Sequence, residues 1–462
     1  ASFGVIVMFT VIAILALATP NAGDAATRLR LLDDEPAPEI LIPLIEIPIY
    51  NVTLSLFNRA AFQGAWTQVS FESIGRNLKG GWAFDKDDFD INNVGHPYQG
   101  AQPFLSARSA GYGFWPASLA ALLSSLWWEI AGEAEPPSIN DQLTSTIGGS
   151  FLGEALHRAS LTIFQTEGVL PAWLRWAART LLDPSGAFNA WLTNGKYDRM
   201  DGTNVPILGR LSLGLNVLGR ITTDNIPGAT TLTLGEELHV SVGLRSGFPA
   251  HPGIPPRRPF DHFDVQCELS VSRQPYVTLF VNGLLFGRLV DIGIVSHAIV
   301  GLFGRYDFAN PPSLRVSTVA SGPGVALTID VSRQLQLQGM IDATFVAWGS
   351  AGALPQVDGT HRDYHTGPGL QLVADLALVH RRAGSIRVSA REYRISGAYS
   401  EPGIESITYV TIGGAAALSR QLELRFDAVI SARNTHYEGE VPNVHQRSSQ
   451  MRVGLTWLTD ID

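Results

Sequence analysis

The stretch "RQLELRFDAVISAR", residues 420–433, sets Leu422, Leu424, Phe426, Ala428 and Ile430 against Glu423, Arg425, Asp427, Ser431 and Arg433. A period of two over this length marks a strand with one apolar and one wet face. The pattern recurs. In "RLSLGLNVLGR" (210–220), Leu211, Leu213, Leu215 and Val217 alternate with Arg210, Ser212, Gly214 and Asn216. "EELHVSVGLRSG" (236–247), "VQCELSVS" (265–272) and the closing "MRVGLTWL" (451–458) repeat it. Further segments fall at 290–306, 313–332, 334–348, 367–381, 384–398 and 405–418. The total is about twelve strands, several long enough to cross a bilayer at a tilt.

The connections carry a second signal. Short ones such as "RQPY" (273–276), "RRAG" (381–384) and "LSRQ" (418–421) alternate with long ones. The long ones include "SGFPAHPGIPPRRP" (246–259), "LPQVDGTHRDYHTG" (354–367) and "NTHYEGEVPNVHQR" (434–447). Short turns at one end and long loops at the other fit an outer-membrane barrel. The competing reading is a soluble β-sandwich or barrel with one solvated face, which also alternates. The expected fold is therefore mainly β: an antiparallel outer-membrane β-barrel over residues 205–462, with a wet lumen.

Composition narrows the partners. The chain has 462 residues, a formal charge of −9 and three lysines, Lys79, Lys86 and Lys196. No basic cluster tracks a phosphate backbone, so no nucleic-acid partner is expected. The single cysteine, Cys267, excludes an intrachain disulfide framework and a CxxC zinc site. Val5 to Ala18 is apolar apart from Thr10 and is followed by small-residue cleavage options near Ala18 and Ala25. Residues 1–25 thus read as a secretory signal with an incomplete n-region. A single membrane anchor is the alternative, though the run is shorter than the ~20 residues a span needs. Export implies the bacterial outer membrane, with membrane lipids and the outer-membrane assembly machinery as partners.

Residues 26–61 read as a Pro- and acid-rich linker, in which Pro43 and Pro48 argue against a central strand. Residues 62–200 read as a helical module, with a candidate first strand at 62–76. "WPASLAALLSSLWWEIAGE" (115–133) is apolar on nearly all faces and predicts a buried helix. Ser138, three residues before Asp141, predicts a helix start, and Gly148, Gly149 and Gly153 allow close helix contact. "VLPAWLRWAARTLL" (169–182) puts Leu170, Trp173, Leu174, Ala177 and Leu181 opposite Arg175 and Arg179, as in an interfacial or surface helix.

The dense region is 82–158. It contains Asp88-Phe89, Asn93, Gly95-His96-Pro97-Tyr98, Gly100, Arg108, Phe114-Trp115, Trp128-Glu129, Glu133, Pro137-Ser138, Asn140-Asp141, Gly149, Gly153-Glu154 and Arg158. On these residues the chain resembles a bacterial family of unassigned activity, domain-of-unknown-function family 3943. The resemblance implies a signal-bearing envelope protein. The family often has threonine-proline where this chain reads Thr146-Ile147, which bears on where the following helix begins. His96, Glu129 and Asp141 also resemble, at elastic spacing, the His, Glu and Asp of the VanZ-like membrane family.

Two chemistries suit these residues. His96 with Glu129 and Asp141 could act as a general base oriented by a carboxylate, or could ligate a divalent metal through imidazole and oxygen. Alternatively, Arg108, Glu133, Glu154 and Arg158 could join them in a structural network, because buried acids need partners. "GHPYQG" (95–100) would then be only a rigid turn. The acidic "FDKDDFD" (84–90) lacks an EF-hand spacing and reads as a solvated turn. No Walker A loop, G-x-S-x-G elbow or H-E-x-x-H motif is present. No cofactor is identified beyond a candidate divalent metal. The expectation is a structural, channel or transport-related barrel with the helical module as a plug or periplasmic cap. The alternative is a lipid- or envelope-modifying enzyme using His96 with Glu129 and Asp141.

Overall fold

The structure is a computed structural model. It describes residues 36–62, 64–164, 171–198, 207–223, 230–233, 237–247, 256–272, 275–293, 295–311, 314–352, 364–400, 402–438 and 443–461. The signal-sequence expectation at 1–25 lies outside them. The chain divides into a helical unit and a strand unit.

The strand unit contains β1 (Ile207–Thr223), β2 (Thr230–Thr233), β3 (Leu238–Ser246), β4 (Phe263–Val271), β5 (Tyr276–Ile292), β6 (Val295–Ala309) and β7 (Val316–Asp330). It continues with β8 (Leu335–Ala351), β9 (His365–His380), β10 (Gly384–Ser396), β11 (Gly403–Ala417), β12 (Leu422–Tyr437) and β13 (His445–Ile461). From β3 onward each strand pairs antiparallel with the next, and β1 pairs with both β3 and β13. The β1–β13 pairing runs from Ile207↔Ile461 through Gly214↔Gly454 and closes a ring of twelve strands. The short β2 pairs with the end of β1 on the edge that β3 holds further along, so β2 and β3 share one position in the wall. At the seam a Cβ on Gly454 would sit 2.5 Å from the Leu213 carbonyl oxygen, so close approach requires glycine there.

The alternation read from the sequence sorts onto two faces. Phe426 and Ile430 on β12 point outward, while Val429 and Arg433 are buried. On β9, Leu370, Leu372, Leu376 and Leu378 are exposed around the buried Gln371 and Val373. Ile386 and Val388 on β10, Ile412 on β11 and Leu455 on β13 continue the apolar exterior. A closed ring wrapped in apolar side chains is a transmembrane barrel, because every backbone group inside lipid needs a partner. The protein is an outer-membrane β-barrel protein in contact with membrane lipid.

The interior is polar and many of its charges are paired. Arg305 donates through Nε to Asp342 at 2.7 Å, and both are buried. Asp307 accepts from Gln371 at 2.7 Å, from the Tyr393 hydroxyl at 2.8 Å and from Arg391 at 3.2 Å. Glu405 accepts from Arg433 at 2.5 Å and from the Tyr437 hydroxyl at 2.9 Å. These links cross between strands and brace the wall from within.

The helical unit contains α1 (Leu41–Ala61), α2 (Phe71–Lys79), α3 (His96–Ser109), α4 (Phe114–Trp127), α5 (Ile139–Leu143), α6 (Gly149–Phe164), α7 (Ala172–Leu182) and α8 (Pro184–Thr193). Several expectations are corrected here. Residues 41–61 are helix, not linker: Pro43 sits in the first turn, where its missing N–H costs nothing, and Pro48 is carried inside. By length and composition α1 is apolar enough to cross a membrane. Residues 62–76 contain no strand among the described residues. Ser70 and Ser73 instead form a reciprocal cap that starts α2.

The helix from Trp115 is only half buried. Ala117, Ala121, Ser124 and Ser125 face inward, while Leu119, Leu122 and Leu123 are exposed. Small residues let α4 approach its neighbours closely, and Asn51 on α1 donates to the Ser124 hydroxyl at 2.8 Å. On α7 the basic side is the buried one. Arg179 donates to the Gly186 carbonyl at 2.9 Å and pairs with Asp198, whereas Trp173 is exposed.

Replacing Asp342 by Asn leaves Arg305 charged in a buried site, at an expected cost of about 3–5 kcal/mol. The temperature at which the folded, heat-modifiable band disappears from unboiled gels should fall accordingly. An unchanged temperature would remove this pair from the barrel's stability.

Candidate functional site

Three π-helical turns, Ile91–Gly95, Trp128–Gly132 and Thr144–Gly148, interrupt the helical unit. Such turns insert a residue, re-aim side chains and often accompany functional sites. His96 follows the first, Glu129 lies in the second and Asp141 precedes the third. "GHPYQG" is therefore not a turn. Gly95 has helical dihedrals (φ −58°, ψ −58°), and the helix runs unbroken through Pro97. The glycine that matters is Gly100, where a Cβ would lie 1.8 Å from the Ser145 carbonyl oxygen. Gly149 meets Gly100 from the other side, so α3 and α6 cross backbone to backbone, as the glycine spacing predicts. The Thr144–Gly148 turn leads straight into α6, which settles the local path where the chain reads Thr146-Ile147.

A short parallel bridge between Ala83 and Ser138 builds the site. The Ala83 N–H donates to the Pro137 carbonyl, and the Ile139 N–H donates to the Ala83 carbonyl, both at 2.8 Å. This brings Asp85 against Asn140. The Asp85 N–H donates to Asn140 Oδ1 at 3.0 Å, and Asn140 Nδ2 donates to Asp85 at 3.0 Å and to Asp141 at 2.8 Å. Asn92 donates to Asp85 at 2.8 Å. Ser138 caps α5 through the Asp141 N–H, as its spacing predicts, and its own N–H donates to Glu129 Oε2 at 2.7 Å.

His96 Nε2 lies 3.4 Å from Asp141 Oδ1. His96 is 7 % exposed, and Glu129 is fully buried. His96 Nδ1 and Glu129 Oε1 have no hydrogen-bond partner among the described residues.

Two groups here could hold a cation: Asp85 with Asp87 and His96, and Glu129 with Glu133 and Asp141. Within each group the ligand atoms lie within 4.8 Å of one another. Imidazole with carboxylates suits a first-row divalent metal. Burial, and then the Asp85 and Asp87 charges, push Glu129 up to about 8 despite the Ser138 N–H. Burial and the surrounding carboxylates hold Glu133 and Asp141 well above the usual range. Asp85 goes the other way. Burial opposes its ionisation, but hydrogen bonds from Asp141 and Asn92 and the His96 charge hold it down at about 2. Burial lowers His96, with Asp85 pulling against it. Without a cation, protons keep these acids together; a bound cation would take their place.

His96 and Glu129, two of the three candidates expected from the sequence, both come close to the third, Asp141. Sequence reasoning assigned Glu133 to the arginine network, but Glu133 groups with Glu129 and Asp141. It also read the acidic turn as solvated, whereas Asp85 is bound into the site. The available signal was the Asp85–Asp87 spacing just before the helix that carries His96. Nothing local announced the Ala83–Ser138 bridge.

Arg108, Glu154 and Arg158 form a separate triad. Arg108 reaches Glu154 through Nε at 2.7 Å and Nη2 at 3.2 Å, and Arg158 reaches it through Nε at 2.7 Å. All three are buried, which matches a structural role. Burial opposes ionisation of Glu154, but the two guanidinium groups hold it at about 2. A carboxyl lowered from 4.5 to about 2 contributes stability that is fully present above the unfolded value and lost as pH falls through the folded one. The expected loss is on the order of 3 kcal/mol between pH 5 and 2. Glu154→Gln should remove this pH dependence in acid titrations of helical-unit unfolding followed by tryptophan fluorescence. An identical acid transition in the variant would refute the assignment.

No curated protein sequence matches the chain. Among solved structures it is similar to the toluene transporter TodX of Pseudomonas putida, at 11% identity and a TM-score of 0.23, covering 56% of this chain and 90% of that one. It is also similar to the translocator domain of the autotransporter NalP from Neisseria meningitidis, at 10% identity and a TM-score of 0.23, covering 59% and 97%. The KdgM porin matches at 8% identity and a TM-score of 0.23, covering 53% and 98%. The barrel assignment rests on the chain's own register and closure. Residues 81–185, which include every member of the carboxylate–histidine site, match the family model described as a domain of unknown function (DUF3943).

Proposed function

We propose that the protein is a channel- or transport-related outer-membrane barrel, inserted by the outer-membrane assembly machinery, whose DUF3943 domain binds a divalent cation. The observation that carries the first part is the closed twelve-strand ring with an apolar exterior and a charged interior. A ring of this kind separates a polar path from lipid. The purified protein in planar bilayers should give discrete, ohmic conductance steps. Barrels shown to be inserted and folded that pass neither ions nor small solutes would defeat this reading.

A second reading is favoured by one specific feature, the two unsatisfied atoms at the carboxylate–histidine site. On this reading the domain is a lipid- or envelope-modifying enzyme, with His96 as base or ligand and Glu129 and Asp141 as its partners. The raised carboxyls favour metal ligation over a bare His–carboxylate base, because acids that hold protons orient an imidazolium poorly. In either case Glu129, Glu133, Asp141, Asp85, Asp87 and His96 are the residues that would hold the ion. Equilibrium dialysis of the full-length protein against Mn²⁺ or Zn²⁺ should give saturable binding. His96→Ala and Asp141→Asn should each weaken it tenfold or more while leaving heat-modifiable migration intact. Equal metal content in wild type and both variants would exclude the cation site.

A further inference from the structure

A cavity of about 180 Å³ is lined by residues from β1, β3, β4, β5 and β8 through β13. Ten of the twelve ring strands contribute, so it lies within the lumen. Its polar lining is unusually cationic: six arginines face four carboxylates. Three of the arginines are matched within the wall. Arg245 pairs with Asp264, Arg425 with Asp427 at 2.6 Å, and Arg452 with Glu268 at 2.8 Å. Arg391 is drawn to Asp307, which is outside the cavity.

Arg210 and Arg387 remain. Neither forms an ion pair among the described residues, and Arg210 Nε has no hydrogen-bond partner. Asp375, the remaining lining carboxylate, is held by no ion pair among the described residues, so with Asp307 counted against Arg391 the cavity carries one arginine in excess of its acids. The register keeps both arginines beside open backbone. Arg210 pairs with Gly243, and Arg387 pairs with Gly413, whose other partner is Asp427. A side chain at Gly413 would collide with the Asp427 carboxylate, 2.0 Å from where its Cβ would stand.

We propose that this cavity is a binding site for a small anion bearing two or more oxygens, a phosphate or a polycarboxylate, held by Arg210 and Arg387 with Arg245 and Arg425 around it. Guanidinium groups without a paired carboxylate are free to bind an anion, and their planar forks suit carboxylate and phosphate oxygens. The volume is below the roughly 300–1,000 Å³ of drug-sized pockets, which confines the ligand to a small solute. This site concerns binding in the barrel and stands apart from the carboxylate–histidine domain.

The full-length protein in detergent should be titrated calorimetrically with inorganic phosphate and, separately, with citrate at pH 7. One saturable event per chain is expected, and the tighter of the two probes separates a phosphate ligand from a carboxylate one. The Arg210→Gln/Arg387→Gln double variant should lose tenfold or more in affinity, the worth of charge-assisted hydrogen bonds. Arg333→Gln, in the exposed turn between β7 and β8, should leave binding unchanged. Binding should weaken as KCl is raised. If the double variant loses its heat-modifiable band, Arg387→Lys replaces it, with an intermediate loss expected because the charge stays and the fork goes. Absence of saturable binding of both probes to wild type, or equal affinity in the lumen variants, would overturn the proposal.

Discussion

The pairing of β1 with β13 is the interaction on which the rest of the barrel depends. Inside lipid an unpaired strand edge leaves a row of N–H and C=O groups without partners, each costing several kcal/mol. Closure between Ile207 and Thr223 on one side and Arg447 and Ile461 on the other removes that edge. Once the ring is closed, the pleat decides everything else about the wall. One set of alternate residues must face lipid and the other must face the lumen, so Phe426 and Ile430 point outward because Val429 and Arg433 point in.

The two units treat buried charge differently. In the lumen most arginines meet a carboxylate, as Arg305 meets Asp342 and Arg433 meets Glu405. The Arg108–Glu154–Arg158 triad of the helical unit follows the same rule. The Asp85, Glu129, Glu133 and Asp141 group does not. There carboxylates are gathered on carboxylates, with one imidazole beside them, and protons stand where a counter-charge is expected. The Arg210 and Arg387 region is its opposite in sign. Places where a fold leaves like charges together against their cost are where a ligand has something to stabilise.

Much of this was legible in the chain. The barrel could be read because lipid and lumen impose opposite demands on adjacent residues, and that conflict is written as alternation in most strands; β5 (Tyr276–Ile292) is the exception, and the expected strand at 290–306 in fact spans the turn from β5 to β6. The N-cap at Ser138 and the glycine contacts around Gly149 and Gly153 were readable for a similar reason, since each depends on a few residues close in sequence. The errors have a common physical origin. Residues 41–61 read as linker because Pro43 and Pro48 count against a strand, yet an apolar segment with proline in its first turn is a good helix. Arg179 looked solvent-facing because its helix has a clean polar side, but Asp198 and the Gly186 carbonyl draw that side inward.

The class of fold and the apolar and polar faces of its strands are readable from the chain alone, and His96, Glu129 and Asp141 stand out there as candidates. These follow from local periodicity and from residue type. Which acids meet depends on the folded chain. Asp85 reaches Asn140 and Asp141 through a bridge between Ala83 and Ser138, and Glu133 turns to the acids while Glu154 takes both arginines. Arg210 and Arg387 face one cavity only because strands far apart in sequence close into a ring. Convergence of side chains across such separations depends on register and closure, and no short stretch of sequence encodes either.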